Sequence, residues 1–242
     1  SSHDVNNHIH TTYSFSPYSP TAAVWFAREA GLCTCGLMDH DSIAGAEEFL
    51  EAAKIAGIAA TIGMEVRVSM LNTPFADKKL NNPDQPGVLY MALHGVPHTR
   101  AVELNQFMAP YREKRNARNR RMVDAINGMM GKYGITIDFD ADVLPLSNYA
   151  RGGSVTERHL SSALAYRMLD VVGSGEKLIA FIENELKLPI SEKAKGYLTD
   201  DANPYQMYDL LGWIKSQLIS KFYVPATDEL PDVREMLEIS DK

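Results

Sequence analysis

Residues 31–65 read GLCTCGLMDHDSIAGAEEFLEAAKIAGIAATIGME, and this stretch decides the fold. Leu32–Met38 is a short apolar run of strand length. Ser42–Ala56 is rich in alanine and glutamate, its apolar residues recur with helical spacing, and Gly57 marks the end of that helix. A second apolar run, Ile58–Ile62, follows at once. Short buried strands that alternate with helices predict parallel β-α units.

The same alternation extends to both sides of this stretch. Upstream, Val5–His10 is a further short strand, and Ser19-Pro20 begins a helix over Thr21–Ala30. Downstream, Glu65–Met70 and Val88–Leu93 have strand character. The first hundred residues are therefore predicted to belong to the α/β class.

From about residue 99 the pattern becomes almost entirely helical. The predicted helices, with a break at Pro110, are Ala101–Met108, Tyr111–Lys132, Thr156–Leu169, Glu176–Leu186, Tyr205–Phe222 and Pro231–Ile239. We predict three parts: a β/α part over residues 1–98, a helical insertion over 99–222 and a return helix over 223–242. Four or five strands do not close a barrel, so either strands follow Lys242 or the sheet is smaller and open.

The composition is that of a globular protein with an acidic surface. Apolar residues make up 45% of the 242, and the net charge is −7, so an anionic substrate has to be attracted locally, by a metal or a basic cluster. No apolar run approaches the ~20 residues that span a bilayer, so no membrane partner is expected. Residues 1–7 lack the pattern of a signal peptide. Cys33 and Cys35 have poor spacing for a disulfide, which favours a reducing, cytoplasmic location.

The first candidate metal ligands form an H-x-H motif, His8-Ile9-His10. Side chains two positions apart on a strand project from one face, so both imidazoles can bind one ion. Neutral imidazole suits Zn, Mn or Fe. The alternative is a chance pair on a surface strand.

The second candidate is His40 in Asp39-His40-Asp41, directly after an apolar run and before a helix. The carboxyl end of a parallel strand is where α/β folds place their sites. Two flanking carboxylates fit partners that orient the ring, and Asp41 is a candidate catalytic residue that assists the metal. The alternative is that Asp41 and Ser42 cap the following helix and His40 is incidental.

Glu65 is the third candidate, because it follows Ile62-Gly63-Met64 at the end of the next apolar run. A bridging carboxylate is what a two-metal site needs for phosphoryl displacement. The alternative is a solvated strand end.

Together these motifs resemble the polymerase-and-histidinol-phosphatase (PHP) domain family. The residues that carry the resemblance are His8-Ile9-His10-Thr11 with Ser14, Met38-Asp39-His40-Asp41, and Gly63-Met64-Glu65-Val66. The resemblance implies a distorted (β/α)7 barrel of the α/β class, with the all-helical insertion of its metal-dependent phosphoesterase branch. It implies two or three divalent metal ions, and His8, His10, His40 and Glu65 as their ligands.

The helical region resembles the same branch in an arginine-rich helix, Arg115, Arg118 and Arg121, followed by the pair Arg158-His159. The resemblance implies Arg118, Arg121 and Arg158 as catalytic cations that bind phosphate, and His159 as a further metal ligand. From the residues themselves, a solvated charged face and a histidine packed at a helix start are the alternatives.

Three features depart from the family pattern. Phe15 stands where many relatives carry an aspartate, and Tyr90 where many carry a histidine; His94 or His98 is a candidate replacement. The family's last histidine and its late aspartate–histidine pair are expected beyond Lys242.

The sequence therefore predicts a metal-dependent phosphoesterase that acts on a small phosphorylated substrate, a nucleotide or the end of a short nucleic acid. Two alternatives are a PHP module with weak or no catalysis, motivated by Phe15 and Tyr90, and a metal-dependent hydrolase of a non-phosphate bond.

Overall fold

The computed structural model describes residues 3–82 and 84–241, so the expectations for Ser1, Ser2 and Lys242 lie outside the described residues. The strands are β1 (Val5–Ile9), β2 (Thr34–His40), β3 (Ala59–Ser69) and β4 (Val88–Leu93). The helices are α1 (Pro20–Glu29), α2 (Ala46–Ala56), α3 (Ala101–Met130), α4 (Glu157–Val172), α5 (Glu176–Ala180), α6 (Glu192–Thr199), α7 (Gln206–Gln217), α8 (Ile219–Phe222) and α9 (Val233–Ser240).

The strands form one four-stranded sheet in the order β1-β2-β3-β4. The predicted parallel β-α units are confirmed for β1, β2 and β3. The α/β class is likewise confirmed, whereas the seven-stranded barrel stays a prediction.

The runs Ile58–Ile62 and Glu65–Met70, which were predicted as separate segments, instead form one continuous strand, β3. Its first part pairs in parallel with β2, and its later part, from Met64 to Ser69, pairs antiparallel with β4. A glycine is needed at position 63 because a Cβ there would lie 2.2 Å from the Leu93 carbonyl oxygen. The signal taken for a strand end therefore marks a close approach of two backbones.

Strand β1 carries a bulge opposite Gly36 of β2. Asn6 pairs with Cys35 and Ile9 with Leu37, so two residues of β1 face one residue of β2. A Cβ on Gly36 would lie 2.7 Å from the Asn7 Cα, which explains why a glycine stands there. Bulges re-aim side chains, and this one, formed by Asn7 and His8, includes the first histidine of the H-x-H motif.

Two compact units are present. The first comprises Ser1–Ala117, Ser147–Val155 and Pro225–Lys242, and the second comprises Arg118–Leu146 and Thr156–Val224. The sheet, α1, α2 and α9 lie in the first unit, which has a core of apolar residues from strands and helices, including Leu37, Phe49, Met64, Val66 and Met108. The second unit is helical and buries Met122, Ile126, Leu160, Leu164, Leu210 and Ile214. The domain limits predicted from the sequence stay a prediction.

The helix break predicted at Pro110 was also wrong, since α3 runs through it. An internal proline costs about 3 kcal/mol. Leu104 and Met108 of the same helix are both buried, and burying each such side chain contributes about 1.5–3 kcal/mol. Packing therefore outweighs the local penalty.

Among the residues that the structure describes, no helix combines the length and the hydrophobicity that crossing a bilayer requires. Cys33 and Cys35 are both free thiols. The cytoplasmic location stays a prediction.

Replacing Gly36 by alanine should destabilise the chain by about 2 kcal/mol, because the added methyl group overpacks against the β1 backbone. The control is Gly128→Ala in α3, where a Cβ meets nothing within 4 Å. The Gly128→Ala change should raise the free energy of unfolding by about 0.5–1 kcal/mol. Urea unfolding measures both, and equal effects would contradict the role assigned to Gly36.

Candidate metal centre

Four predicted ligands converge on one face of the sheet. His40 of β2 lies beside Glu65 of β3 in the parallel register. The Glu65 Oε2 atom is 2.9 Å from His40 Nδ1, 3.6 Å from His8 Nε2 and 3.8 Å from His10 Nε2. Donor atoms of His8, His10 and Glu65 all lie within 4.8 Å of one another, so they can hold one metal ion.

The histidine rings pack against each other around this carboxylate. The rings of His10 and His40 stack with centroids 4.4 Å apart, and His8 meets His10 edge-on at 5.1 Å. Burial acts to raise the pKa of Glu65, but the hydrogen bond from His40 and the charges of the three histidines lower it below its ordinary value. Glu65 is therefore an ionised carboxylate at neutral pH, the form that binds a metal.

Asp39 anchors the loop that follows His10. Its carboxylate is fully buried and accepts three hydrogen bonds of 2.6 Å, from Thr11 N, Thr11 Oγ1 and Ser14 Oγ. Burial raises the pKa of Asp39, and these hydrogen bonds and the charge of His40 oppose the rise. Asp39 was predicted to orient the His40 ring. Its observed hydrogen bonds instead hold Thr11 and Ser14, and thereby the chain after His10.

Asp41 also departs from the prediction that it caps the next helix, because α2 begins later, with Gly45 as its N-cap. Asp41 adopts a positive φ of 52°. Its N–H donates to the Glu65 carbonyl oxygen at 2.8 Å, and its carboxylate accepts from Arg115 at 2.5 Å. Asp41 therefore lies between β3, which carries Glu65, and α3, and its catalytic role stays a prediction.

Sequence reasoning missed two further arginines beside Asp41. Arg112 donates to the Asp41 carbonyl oxygen at 3.0 Å, and an Arg67 nitrogen lies 3.9 Å from the Asp41 carboxylate. Both side chains are buried. The signal for Arg67 was a lone cation in the apolar stretch Val66–Val68, two residues after Glu65 and so on the same face of β3.

The predicted phosphate-binding arginines belong to the second unit. Arg118 is fully buried, pairs with Glu157, donates to the Val224 carbonyl oxygen and lies over the Tyr223 ring. Arg121 and Arg158 are exposed. No observation tests their binding of phosphate, which stays a prediction.

His159 lies in the first turn of α4, also in the second unit, where it takes part in a capping box. Its Nδ1 accepts a hydrogen bond from the Thr156 N–H at 2.9 Å. An imidazole whose Nδ1 accepts in this way carries its proton on Nε2, which then has no lone pair for a metal. The structure thus places His159 at a helix start, as the alternative of a packed histidine expected, and adds a capping hydrogen bond; its metal role stays a prediction.

The residues that depart from the family pattern lie in the first unit. Phe15 is half-buried, and the Tyr90 ring is 6.0 Å from the His40 ring. The exposed His94 has its ring 6.5 Å from that of His8, whereas His98 begins an exposed turn before α3. Of the two candidate replacements, His94 is the one with a ring contact to a predicted ligand.

Comparison with known proteins places the chain in a family. The PHP domain model matches residues 6–132, just over half of the chain, and the chain therefore belongs to the PHP domain family.

Individual relatives are similar over smaller parts. The chain is 34% identical to the error-prone DNA polymerases of Mycobacterium tuberculosis and Mycobacterium bovis over 82 residues, 33% of this chain. It spans only 7% of the length of those polymerases.

Two solved structures are similar in fold. A protein of Bifidobacterium adolescentis, provisionally named a metal-dependent phosphoesterase, matches with a TM-score of 0.59 and 19% identity, over 100% of this chain and 64% of that one. An amidohydrolase from Chromobacterium violaceum, solved with sulfate and no metal, matches with a TM-score of 0.47 and 19% identity. The match covers 74% of this chain and 54% of that one.

Removing the Asp39 carboxylate by Asp39→Ala should destabilise the chain by about 3 kcal/mol or more, because buried donors of Thr11 and Ser14 lose their acceptor. The matched control is Glu48→Ala, since the more exposed Glu48 carboxylate accepts from the N–H and hydroxyl of Thr21 in the same way. The Glu48→Ala control should lower the free energy of unfolding by about 1 kcal/mol. Thermal unfolding compares the two, and equal losses would contradict the anchoring role of Asp39.

Proposed function

We propose that this chain is a metal-dependent hydrolase and that it cleaves phosphate esters. The observation that carries the proposal is the convergence of three imidazoles on the single Glu65 carboxylate oxygen. Membership of the PHP domain family and the fold similarity to a protein named as a phosphoesterase support it.

The donor set fits a divalent transition metal. Imidazole nitrogens and an ionised carboxylate suit Zn, Mn or Fe, and the low pKa of Glu65 means that no proton has to leave it at neutral pH. We propose His8, His10, His40 and Glu65 as ligands, with His94 as an additional donor beside His8. Two or three ions in this region are part of the proposal.

When bound, such an ion supplies Lewis-acid chemistry that activates water and withdraws charge from phosphoryl oxygens. The residues of the chain hold the donors in place: Asp39 ties down the loop after His10, and Asp41 links the end of β2 to β3 through the Glu65 carbonyl oxygen. Binding of phosphate by Arg118, Arg121 and Arg158 of the second unit is a separate proposal, which rests on the suitability of guanidinium groups for phosphate.

The proposed substrates are small phosphorylated molecules, nucleotides or the ends of short nucleic acids. The chain has a net charge of −7, so attraction of such anions depends on the metal and on local arginines.

A second candidate function is a PHP module with weak or no catalysis. Phe15, which has no metal-binding atom, and Tyr90, whose ring lies 6.0 Å from that of His40, favour it. It predicts metal content below one ion per chain and no turnover. Release of product without phosphate would instead indicate hydrolysis of another bond.

The test compares the unaltered chain with His10→Ala and Glu65→Gln. After stripping with a chelator and reloading with Mn²⁺ or Zn²⁺, the unaltered chain should bind at least one ion and hydrolyse p-nitrophenyl phosphate or its bis ester. Each variant should lose at least about 100-fold of the activity, because each removes a ligand.

The control is His3→Ala, an exposed histidine ahead of the amino-terminal end of β1, away from the ligand end of that strand. This variant should match the unaltered chain in metal content and in activity. Metal content and activity that are unchanged in His10→Ala would overturn the proposal.

A further inference from the structure

The buried residue Ser154 connects two chain segments next to proposed metal ligands, one just after His10 and one at His40. Its N–H donates to the Tyr13 carbonyl oxygen at 2.8 Å, and its hydroxyl donates to the His40 carbonyl oxygen at 2.6 Å. Tyr13 lies three residues after His10. One serine thus connects the chain after His10 with the carboxyl end of β2.

Neighbouring residues make the same two connections independently. The Asn148 amide donates to the Thr12 hydroxyl at 2.9 Å and to the Thr12 carbonyl oxygen at 3.2 Å. The Gly152 carbonyl oxygen accepts from the Ser42 hydroxyl at 2.7 Å. We name the segment Asn148–Ser154 the clip, because it is bonded to the loop after His10 and to the loop after His40.

The glycines of the clip are required by its close fit. Gly152 has a φ of +88°, and a Cβ there would lie 2.8 Å from the Asn105 amide nitrogen. A Cβ on Gly153 would lie 2.8 Å from the Tyr13 carbonyl oxygen and 2.9 Å from that of Asn148. The N–H of Gly153 donates to the same Asn148 oxygen at 2.9 Å, so the clip is also closed on itself.

We propose that the clip positions the metal ligands, with Ser154 as its main positioning residue. Metal sites tolerate displacements of only a few tenths of an ångström, and the loss of groups that hold ligands in place costs about 10–100-fold in metal affinity. Ser154 acts by tying the backbone at His40 to the backbone at Tyr13. This inference rests on the proposed metal site.

The test uses the full chain, stripped of metal and titrated with Co²⁺, whose visible absorption reports ligand geometry. Ser154→Ala should weaken Co²⁺ binding about 10-fold and alter the absorption spectrum. Asn148→Ala, a second variant that breaks the clip elsewhere, should act in the same direction.

The matched control is Ser161→Ala. Ser161 is equally buried, and its hydroxyl also donates to a backbone carbonyl oxygen, that of Glu157 in α4, at 3.0 Å. It should lower thermal stability about as much as Ser154→Ala and leave the Co²⁺ affinity and spectrum unchanged. Ser154→Thr, which keeps the hydroxyl, should recover part of the affinity.

The outcomes separate the two proposals. If the unaltered chain binds Co²⁺ and a folded Ser154→Ala or Asn148→Ala variant binds it with the same affinity and spectrum, the clip proposal is overturned and the metal site stands. If the unaltered chain binds no Co²⁺, the metal site is overturned, and the clip proposal falls with it.

Discussion

The parallel pairing of β2 with β3 is the constraint on which the rest of the site depends. It places His40 directly beside Glu65, so an imidazole and a carboxylate meet without any loop having to bring them together. The same strand end presents Asp39 to the opposite face, where its buried carboxylate holds the chain after His10. One register therefore positions both the candidate metal ligands and the residues that support them.

The support around the ligands consists largely of hydrogen bonds to the backbone. Asp39 and Ser154 both bond the loop after His10, while the N–H of Asp41 bonds the Glu65 carbonyl oxygen. Such bonds restrain the main chain and do not themselves engage the imidazole nitrogens. The buried Arg112 and Arg115 extend this restraint to α3, because both donate to Asp41.

The sequence predicted which candidate ligands lie together better than it predicted their surroundings. The proximity of His8, His10 and His40 could be expected from strand periodicity and strand ends, which are local signals, and that of Glu65 from its place after an apolar run. The continuity of β3 could not be predicted. A glycine such as Gly63 is compatible both with a strand end and with a close approach to Leu93, and only the position of β4 distinguishes the two. The clip was missed because hydrogen bonds between residues more than a hundred positions apart leave no local pattern. The internal proline of α3 shows the same point, since tertiary packing of the helix overrides the propensity of Pro110.

X-ray absorption at the metal edge tests the central claim most directly, namely that histidine nitrogens and a carboxylate oxygen bind the ion. For the zinc-loaded chain we predict a first shell of nitrogen and oxygen at about 2.0–2.1 Å, with the outer-shell scattering of at least two imidazoles. A first shell that contains sulfur at about 2.3 Å, which only Cys33, Cys35 or a methionine could provide, would contradict the claim, as would a spectrum without imidazole scattering.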